Sequence, residues 1–299
     1  GSGNSGGGAP PPPANVAIGT QDINPTPYEQ VQDGGELKWP VQDFPASFNE
    51  LSGDASSSDI PPITRSVMPT PSVEQPDATF KPNPEYLTSM ELVSQDPEKV
   101  TYKLNKKAHW SDGSPITWED YRSQWQALNG KNHDFVVLST AGYENVVDVS
   151  RGADDYEFTV TYNPKYGDWG AVFQVLYPKS MTSDPAAFNK GWADGPKLTG
   201  GPFRIGEINQ TSKTVIVVRD DTWWGKKAKL DRIIFRNIST SGGIPSIDAL
   251  ANGGLDFASI AGNLDAYKRA QSIQGVVFRR ATLPNLRWIL FNGSGSSPL

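Results

Sequence analysis

Few side chains in this chain can carry covalent or acid–base chemistry, and their spacing does not bring them together. There is no cysteine, which removes disulfides, thiolate nucleophiles and thiolate-bound metals. The two histidines, His109 and His133, form no ligand-spaced pair, so packing roles are preferred to metal binding or proton transfer. The closest carboxylates are sequence neighbours: Glu119 with Asp120, Asp154 with Asp155, and Asp220 with Asp221. Adjacent side chains do not share a face in regular structure, so these are poor acid–base dyads and read as solvated surface. No metal, no cofactor and no catalytic residue is implied, and the expectation is a protein that is not an enzyme.

What remains is the chemistry of grip. The chain carries 9 Trp, 10 Tyr and 12 Phe. Such rings build cores and also line sites for organic ligands, and composition alone favours the core. Trp223 and Trp224, in TWWGKK, are the sharpest candidates for a sugar-stacking platform; a turn with buried indoles is preferred. Trp118, Tyr121 and Trp125 likewise read as the packing face of a helix.

The elements that must hold these residues come next. A length of 299 residues suggests about two domains. With 36% hydrophobic and 20% charged residues, the body is an ordinary globular protein. A net charge of −6 and the absence of a basic tract exclude nucleic acid as the main partner. No apolar run is long enough to span a membrane. Residues 1–13, GSGNSGGGAPPPP, form a flexible then semi-rigid tether, and the chain stays polar to about Gly35.

ELKWPV at residues 36–41 is the first strand, with Pro40 marking an edge or an end. Residues 43–48 form an irregular extended stretch, and residues 52–84 a long Ser/Pro/Asp-rich loop with a short helix at best. Residues 86–93 read as a strand. Val100, Tyr102 and Leu104 alternate with polar residues in the next one, and Asp112 with Gly113 supplies a turn. Thr117 is an N-cap with Asp120 three positions on, opening a helix through Leu128 that Gly130 closes. Tyr156, Phe158, Val160 and Tyr162 alternate in a strong strand. Strands follow at residues 203–207, 214–219 and 233–238, a helix at 245–253, a strand at 255–259, a helix at 265–271 and a last strand at 285–292.

These segments resemble the family 5 extracellular solute-binding proteins, the peptide, dipeptide and nickel receptors of ABC importers. The similarity runs from about Gly35 to Leu299. TYKL at 101–104 and AHWSDGSPITWEDY at 108–121 resemble that family's strand and "DGtpltAeDV" motif. LTGGPF at 198–203 is similar to its Gly-Pro turn, where glycine is expected to supply special backbone angles. RDDTWWGKKAKLDRIIFR at 219–236, ALANGGLDFA at 249–258 and ILFNGSGSSPL at 289–299 complete the order. Arg219 followed by Asp220 departs from the family's Arg-Asn.

The resemblance implies an α/β fold of the periplasmic-binding-protein type. Residues 14–51 and 195–288 are expected to form a discontinuous first lobe, residues 52–194 an inserted α+β subdomain, and residues 289–299 the entry to a second lobe absent from this chain. It implies a monomeric receptor, exported to the periplasm or the outer face of the cytoplasmic membrane. A lipid anchor whose cysteine is not in this sequence would tether it there. Its partners would be a small peptide or similar solute and the transmembrane permease subunits. The ligand-binding candidates are Asp43, Phe44, Pro45, Ala46, Ser47 and Phe48, whose backbone would pair with an extended ligand, together with Trp288 and Asn292 at the crossing to the second lobe. Pro45 removes one donor from any such pairing. A glycan fragment or a metal chelate is the alternative solute. From other classes come a secreted carbohydrate-active hydrolase, which needs two carboxylates about 5–10 Å apart, and a surface scaffold with a closed cleft.

Overall fold

The computed structural model describes residues 25–55, 57–238, 243–260 and 263–279. The tether at 1–13 and the strand expected at 285–292, with Trp288 and Asn292, lie outside the described residues. In chain order the elements are β1 (Glu36–Val41), α1 (Ile60–Val67), β2 (Ser72–Glu74), β3 (Phe80–Pro82), β4 (Leu87–Gln95), β5 (Glu98–Leu104) and α2 (Trp118–Leu128). There follow β6 (Val146–Arg151), β7 (Glu157–Tyr162), α3 (Lys179–Thr182), α4 (Pro185–Lys190), β8 (Phe203–Asn209), β9 (Thr214–Arg219), β10 (Arg232–Asn237), α5 (Ile244–Ala251) and α6 (Leu264–Gln271).

Two four-stranded sheets organise the chain. One runs β1-β10-β9-β8, with β1 and β10 parallel and the other pairs antiparallel. The other is antiparallel throughout, in the order β4-β5-β7-β6. Alternation builds the second sheet. Val100, Tyr102 and Leu104 from β5 and Phe158, Val160 and Tyr162 from β7 are buried on one face. There α2 docks through Tyr121, Trp125 and Leu128, and Tyr121 lies 4.6 Å from Phe158, ring centre to ring centre. Each such fully buried side chain contributes roughly 1.5–3 kcal/mol. The start of α2 carries a complete capping box between Thr117 and Asp120, and Gly130 ends it in the left-handed region at φ 78°. A single apolar core joins this layer to Val41, Phe48, Val215, Val217 and Phe235. A smaller cluster holds α5 to α6 through Ile247, Ala266 and Ala270.

Several expectations need correction. The stretch at 52–84, expected as a loop with at most a short helix, holds that helix as α1 and also the β2–β3 hairpin. Pro61 and Pro62 look like loop residues, yet they occupy the first turn of α1, where their missing N–H groups cost nothing. Strand β6 was not foreseen; among the described residues it pairs with β7 alone, at the sheet edge. Residues 255–259 form no strand. Along the free edge of β1, the Lys38 N–H is taken by the Asp256 carboxylate at 2.7 Å. Two positions on, Pro40 has no N–H to offer. One backbone bond survives, from the Asp256 N–H to the Lys38 carbonyl at 3.2 Å.

Asp120 is buried, at 6% exposure, where solvated surface was expected. Its Oδ2 accepts the Thr117 N–H at 3.1 Å and the Trp110 indole N–H at 3.3 Å, and its Oδ1 accepts the Lys179 N–H at 2.9 Å. Gly200 and Gly201 do not have positive φ. Their small size is used for close approach instead, since a Cβ on Gly201 would lie 2.7 Å from the Ser66 carbonyl oxygen.

Candidate functional site

The parallel pair β1 and β10 places Val41 opposite Asn237, so the segments that follow both strands leave from one end of the sheet. The carboxyl ends of parallel strands are where open α/β sheets offer space to a ligand. Asn237 ties the two exits together. Its Nδ2 donates to the Gln42 carbonyl at 2.8 Å and to the Val41 carbonyl at 3.3 Å, and the Ile238 N–H donates to the Val41 carbonyl at 2.9 Å. From the other side, one oxygen of Asp59 accepts the N–H groups of Gln42 at 3.0 Å and Asp43 at 3.1 Å.

The far end of the segment is also fixed. The Phe48 N–H donates to the Trp192 carbonyl at 3.1 Å. Asn49 Nδ2 reaches the Phe188 carbonyl at 2.8 Å. Glu50 meets Arg65 Nη2 at 2.9 Å and accepts the Thr64 hydroxyl. Between these anchors the N–H groups of Phe44, Ala46 and Ser47 have no hydrogen-bond partner among the described residues. The side chains alternate unevenly: Asp43 and Ala46 are exposed, Phe44 and Ser47 half-buried, Pro45 and Phe48 buried. The chain bends at Gln42, Asp43, Ala46 and Phe48 rather than running straight. This stretch therefore offers main-chain donors and acceptors for recognition and no reactive side chain.

Of the residues proposed from sequence, Asp43 to Phe48 thus form one suspended segment, while Trp288 and Asn292 lie outside the described residues. Asp59 and Asn237 were missed. Asp59 had a readable signal: an N-cap side chain accepts from the second or third helical N–H, and here both positions, Pro61 and Pro62, lack one. The carboxylate makes no cap bond and is free for Gln42 and Asp43. Asn237 had none, since its partners are almost two hundred residues away.

Two other places hold aromatic side chains near polar groups. A cavity of about 510 Å³ lies among α2, α3 and residues 132–135, lined by Trp118, Arg122, Phe135 and Lys179. Its lining contains one carboxylate, Glu119, which pairs with Lys179 at 3.5 Å; a hydrolase needs two. Trp223 and Trp224 are half-buried against Tyr86, and the Trp224 indole donates to the Glu85 carbonyl at 2.7 Å, which makes them packing residues. Among the described residues no cluster of His, Asp or Glu is placed to hold a metal, and no helix is long and apolar enough to cross a membrane.

Comparison with known proteins adds the family. The profile described as "Bacterial extracellular solute-binding proteins, family 5 Middle" matches residues 81–299. The chain is 36% identical over 288 residues to the "Oligopeptide-binding protein OppA" of Mycobacterium tuberculosis (strain H37Rv), covering 95% of this chain and 48% of that protein. It is 27% identical over 220 residues to the "Probable monoacyl phosphatidylinositol tetramannoside-binding protein LpqW" of the same species, covering 73% of this chain and 34% of that one. Among solved structures, a "Periplasmic EDTA-binding protein EppA" superposes with a TM-score of 0.70 at 25% identity, over 81% of this chain and 45% of that one. The oligopeptide-binding protein AppA of Bacillus subtilis, in complex with a nonapeptide, gives 0.69 at 18% identity, over 81% and 47%, and shows the fold alone. The expected periplasmic-binding-type α/β fold is therefore the observed one. The chain spans about half the length of the first of these relatives.

Proposed function

The chain belongs to the family 5 bacterial extracellular solute-binding proteins, and from that premise we propose that it forms the ligand-gripping half of an exported ABC-importer receptor whose solute is an oligopeptide. The observation that carries this is the segment at 44–47: its main chain is held at both ends, and the N–H groups of Phe44, Ala46 and Ser47 have no partner among the described residues. Backbone pairing along such an edge grips an extended peptide without reading its side chains, which suits a receptor for varied peptides. Similarity to a protein named for oligopeptide binding supports that solute. Neighbours named for EDTA and for a nickel–histidine complex make a chelate the competing ligand.

In this proposal residues 14–51 and 195–288 form one lobe and 52–194 a subdomain inserted in it, which the membership of the two sheets supports. The opposite wall of the cleft comes from the half of such relatives that this chain does not match. The ligand closes the two walls because it touches both only in the closed form, and that differential contact shifts the equilibrium. The closed receptor is what the permease subunits recognise. Relatives named as lipoproteins support an envelope location with a lipid anchor ahead of the tether; the receptor acts as a monomer.

The test is calorimetric titration of the full-length protein with penta-alanine and with penta-alanine carrying one internal N-methyl group. Penta-alanine is expected to bind, and N-methylation to weaken it about tenfold, the cost of a backbone hydrogen bond. Absence of peptide binding alongside saturable uptake of Ni–EDTA would replace the peptide with the chelate.

A further inference from the structure

Just before the segment at 44–47, distant side chains occupy the main-chain groups of the turn out of β1. From Val41 to Asp43 the chain offers two carbonyls and two N–H groups that meet side chains from distant parts of the fold: Asn237, which ends β10, and Asp59, which precedes α1. Both are half-buried. Asp59 is diverted from its own helix by the two prolines that follow, and one of its oxygens takes both N–H groups. We infer that Asp59 and Asn237 are positioning residues for the ligand: they pre-order the turn out of β1, so that ligand pairing starts at the Phe44 N–H and not earlier.

This rests on residues 43–48 being the ligand segment, and it adds register to that proposal. With the Gln42 and Asp43 N–H groups occupied, the first free donor is Phe44. Pro45 has none, and the next are Ala46 and Ser47. A bound peptide therefore presents its first backbone carbonyl opposite Phe44, and it meets a gap opposite Pro45 before the next donor. Pre-ordering raises affinity because the conformational cost of fixing the turn is met during folding rather than on binding. The two residues also lie on opposite sides of the segment, so neither alone fixes its direction.

The experiment uses the full-length protein with Asp59→Ala, Asp59→Asn and Asn237→Asp, read by hydrogen exchange at individual amides and by penta-alanine titration. Asp59→Ala is expected to speed exchange of the Gln42 and Asp43 amides and to weaken penta-alanine about tenfold, with exchange in β9 and β10 unchanged. Asp59→Asn keeps one acceptor oxygen and should recover most of both effects, which a merely destabilised fold would not do. Asn237→Asp keeps the shape, deletes both donors and should weaken the peptide similarly. If Asp59→Ala leaves peptide affinity unchanged while N-methylation of the peptide still weakens binding, the positioning role is wrong and the ligand segment stands. If N-methylation has no effect either, the ligand segment itself is wrong and the positioning role falls with it.

Discussion

Arg65 closes over the carboxylate of Glu50 with Nη2 at 2.9 Å and Nε at 3.0 Å from the same oxygen. The Glu50 side chain is 3% exposed and that of Arg65 is 40% exposed. The acid is thus the buried partner, and the arginine reaches it from α1 along the water boundary. Together they fix the far end of the suspended segment to the helix that Asp59 precedes.

Removing the arginine leaves a buried charge whose one remaining side-chain partner among the described residues is the Thr64 hydroxyl. Breaking a buried pair from one side costs about 3–5 kcal/mol, and the partial exposure of Arg65 points to the lower end. Arg65→Ala should therefore lose about 3 kcal/mol in urea unfolding. The double variant with Glu50→Ala should lose less than the sum of the two single losses, since each single change strands the other group. Additive losses would show that the pair is not coupled.

Asp120 answers a pH question. Burial raises its carboxyl above the usual carboxylate value, and the N–H groups of Lys179 and Thr117 and the Trp110 indole only partly offset this. The folded chain therefore takes up this proton at a higher pH than the unfolded chain does. Its contribution to stability is full below about pH 4 and is lost as pH rises through the raised value. Asp77, Asp112 and Asp154, lowered by their own hydrogen bonds, act in the opposite sense, so the difference between wild type and Asp120→Asn is the quantity to plot. That difference should fall from pH 4 upward and then level. A flat difference would contradict the burial. Asp120→Ala should cost about 2–4 kcal/mol below about pH 4, from the lost cap and the stranded Lys179 N–H, and less as pH rises, because alanine does not titrate either.

Buried phenols set the alkaline limit. Burial pushes Tyr143 up to about 12 and holds Tyr86, Tyr102, Tyr121, Tyr162 and Tyr177 higher still. An unfolded tyrosine loses its proton near pH 10, so above that point the folded state alone keeps these protons. Stability then falls by up to about 1.4 kcal/mol per pH unit for each tyrosine. Phenolate absorbance from this group should rise in the same transition as the loss of circular dichroism. A rise well before unfolding would mean that water reaches the rings.

How much of this was legible in the sequence follows from the range of the interactions. The helix from Trp118 to Leu128 and the strand from Thr214 to Arg219 are readable to the residue, because cap, stripe and alternation are all local. The segment at 43–48 was singled out through resemblance, not through its own pattern. Its two clamps were not foreseen, because Asn237 meets Gln42 across 195 positions and no periodicity announces such a contact. A short helix was allowed in the stretch at 52–84, but the bounds of α1 were hidden by prolines that normally signal a break. Strand β6 was hidden because Val147 and Asp148 are both exposed, so its alternation fails in the middle.

The Gly-Gly-Pro turn offers the sharpest test of a corrected expectation. Gly200 and Gly201 both donate their N–H groups to the Val67 carbonyl, at 2.9 and 2.8 Å, which presses the turn against the end of α1. A Cβ on Gly201 would lie 2.7 Å from both the Ser66 oxygen and the Val67 carbonyl carbon, and 3.0 Å from the Met68 nitrogen. These are backbone atoms and cannot swing away. A Cβ on Gly200 would instead meet the Pro69 ring and the Trp110 indole at 3.0 Å, side chains that can shift by a few tenths of an ångström. If the glycines serve close approach, Gly201→Ala should cost about 2–3 kcal/mol in urea unfolding, as overpacking does, and Gly200→Ala clearly less. If they served backbone angles, both alanines would cost about the same, so equal losses at the two positions would restore the conformational explanation.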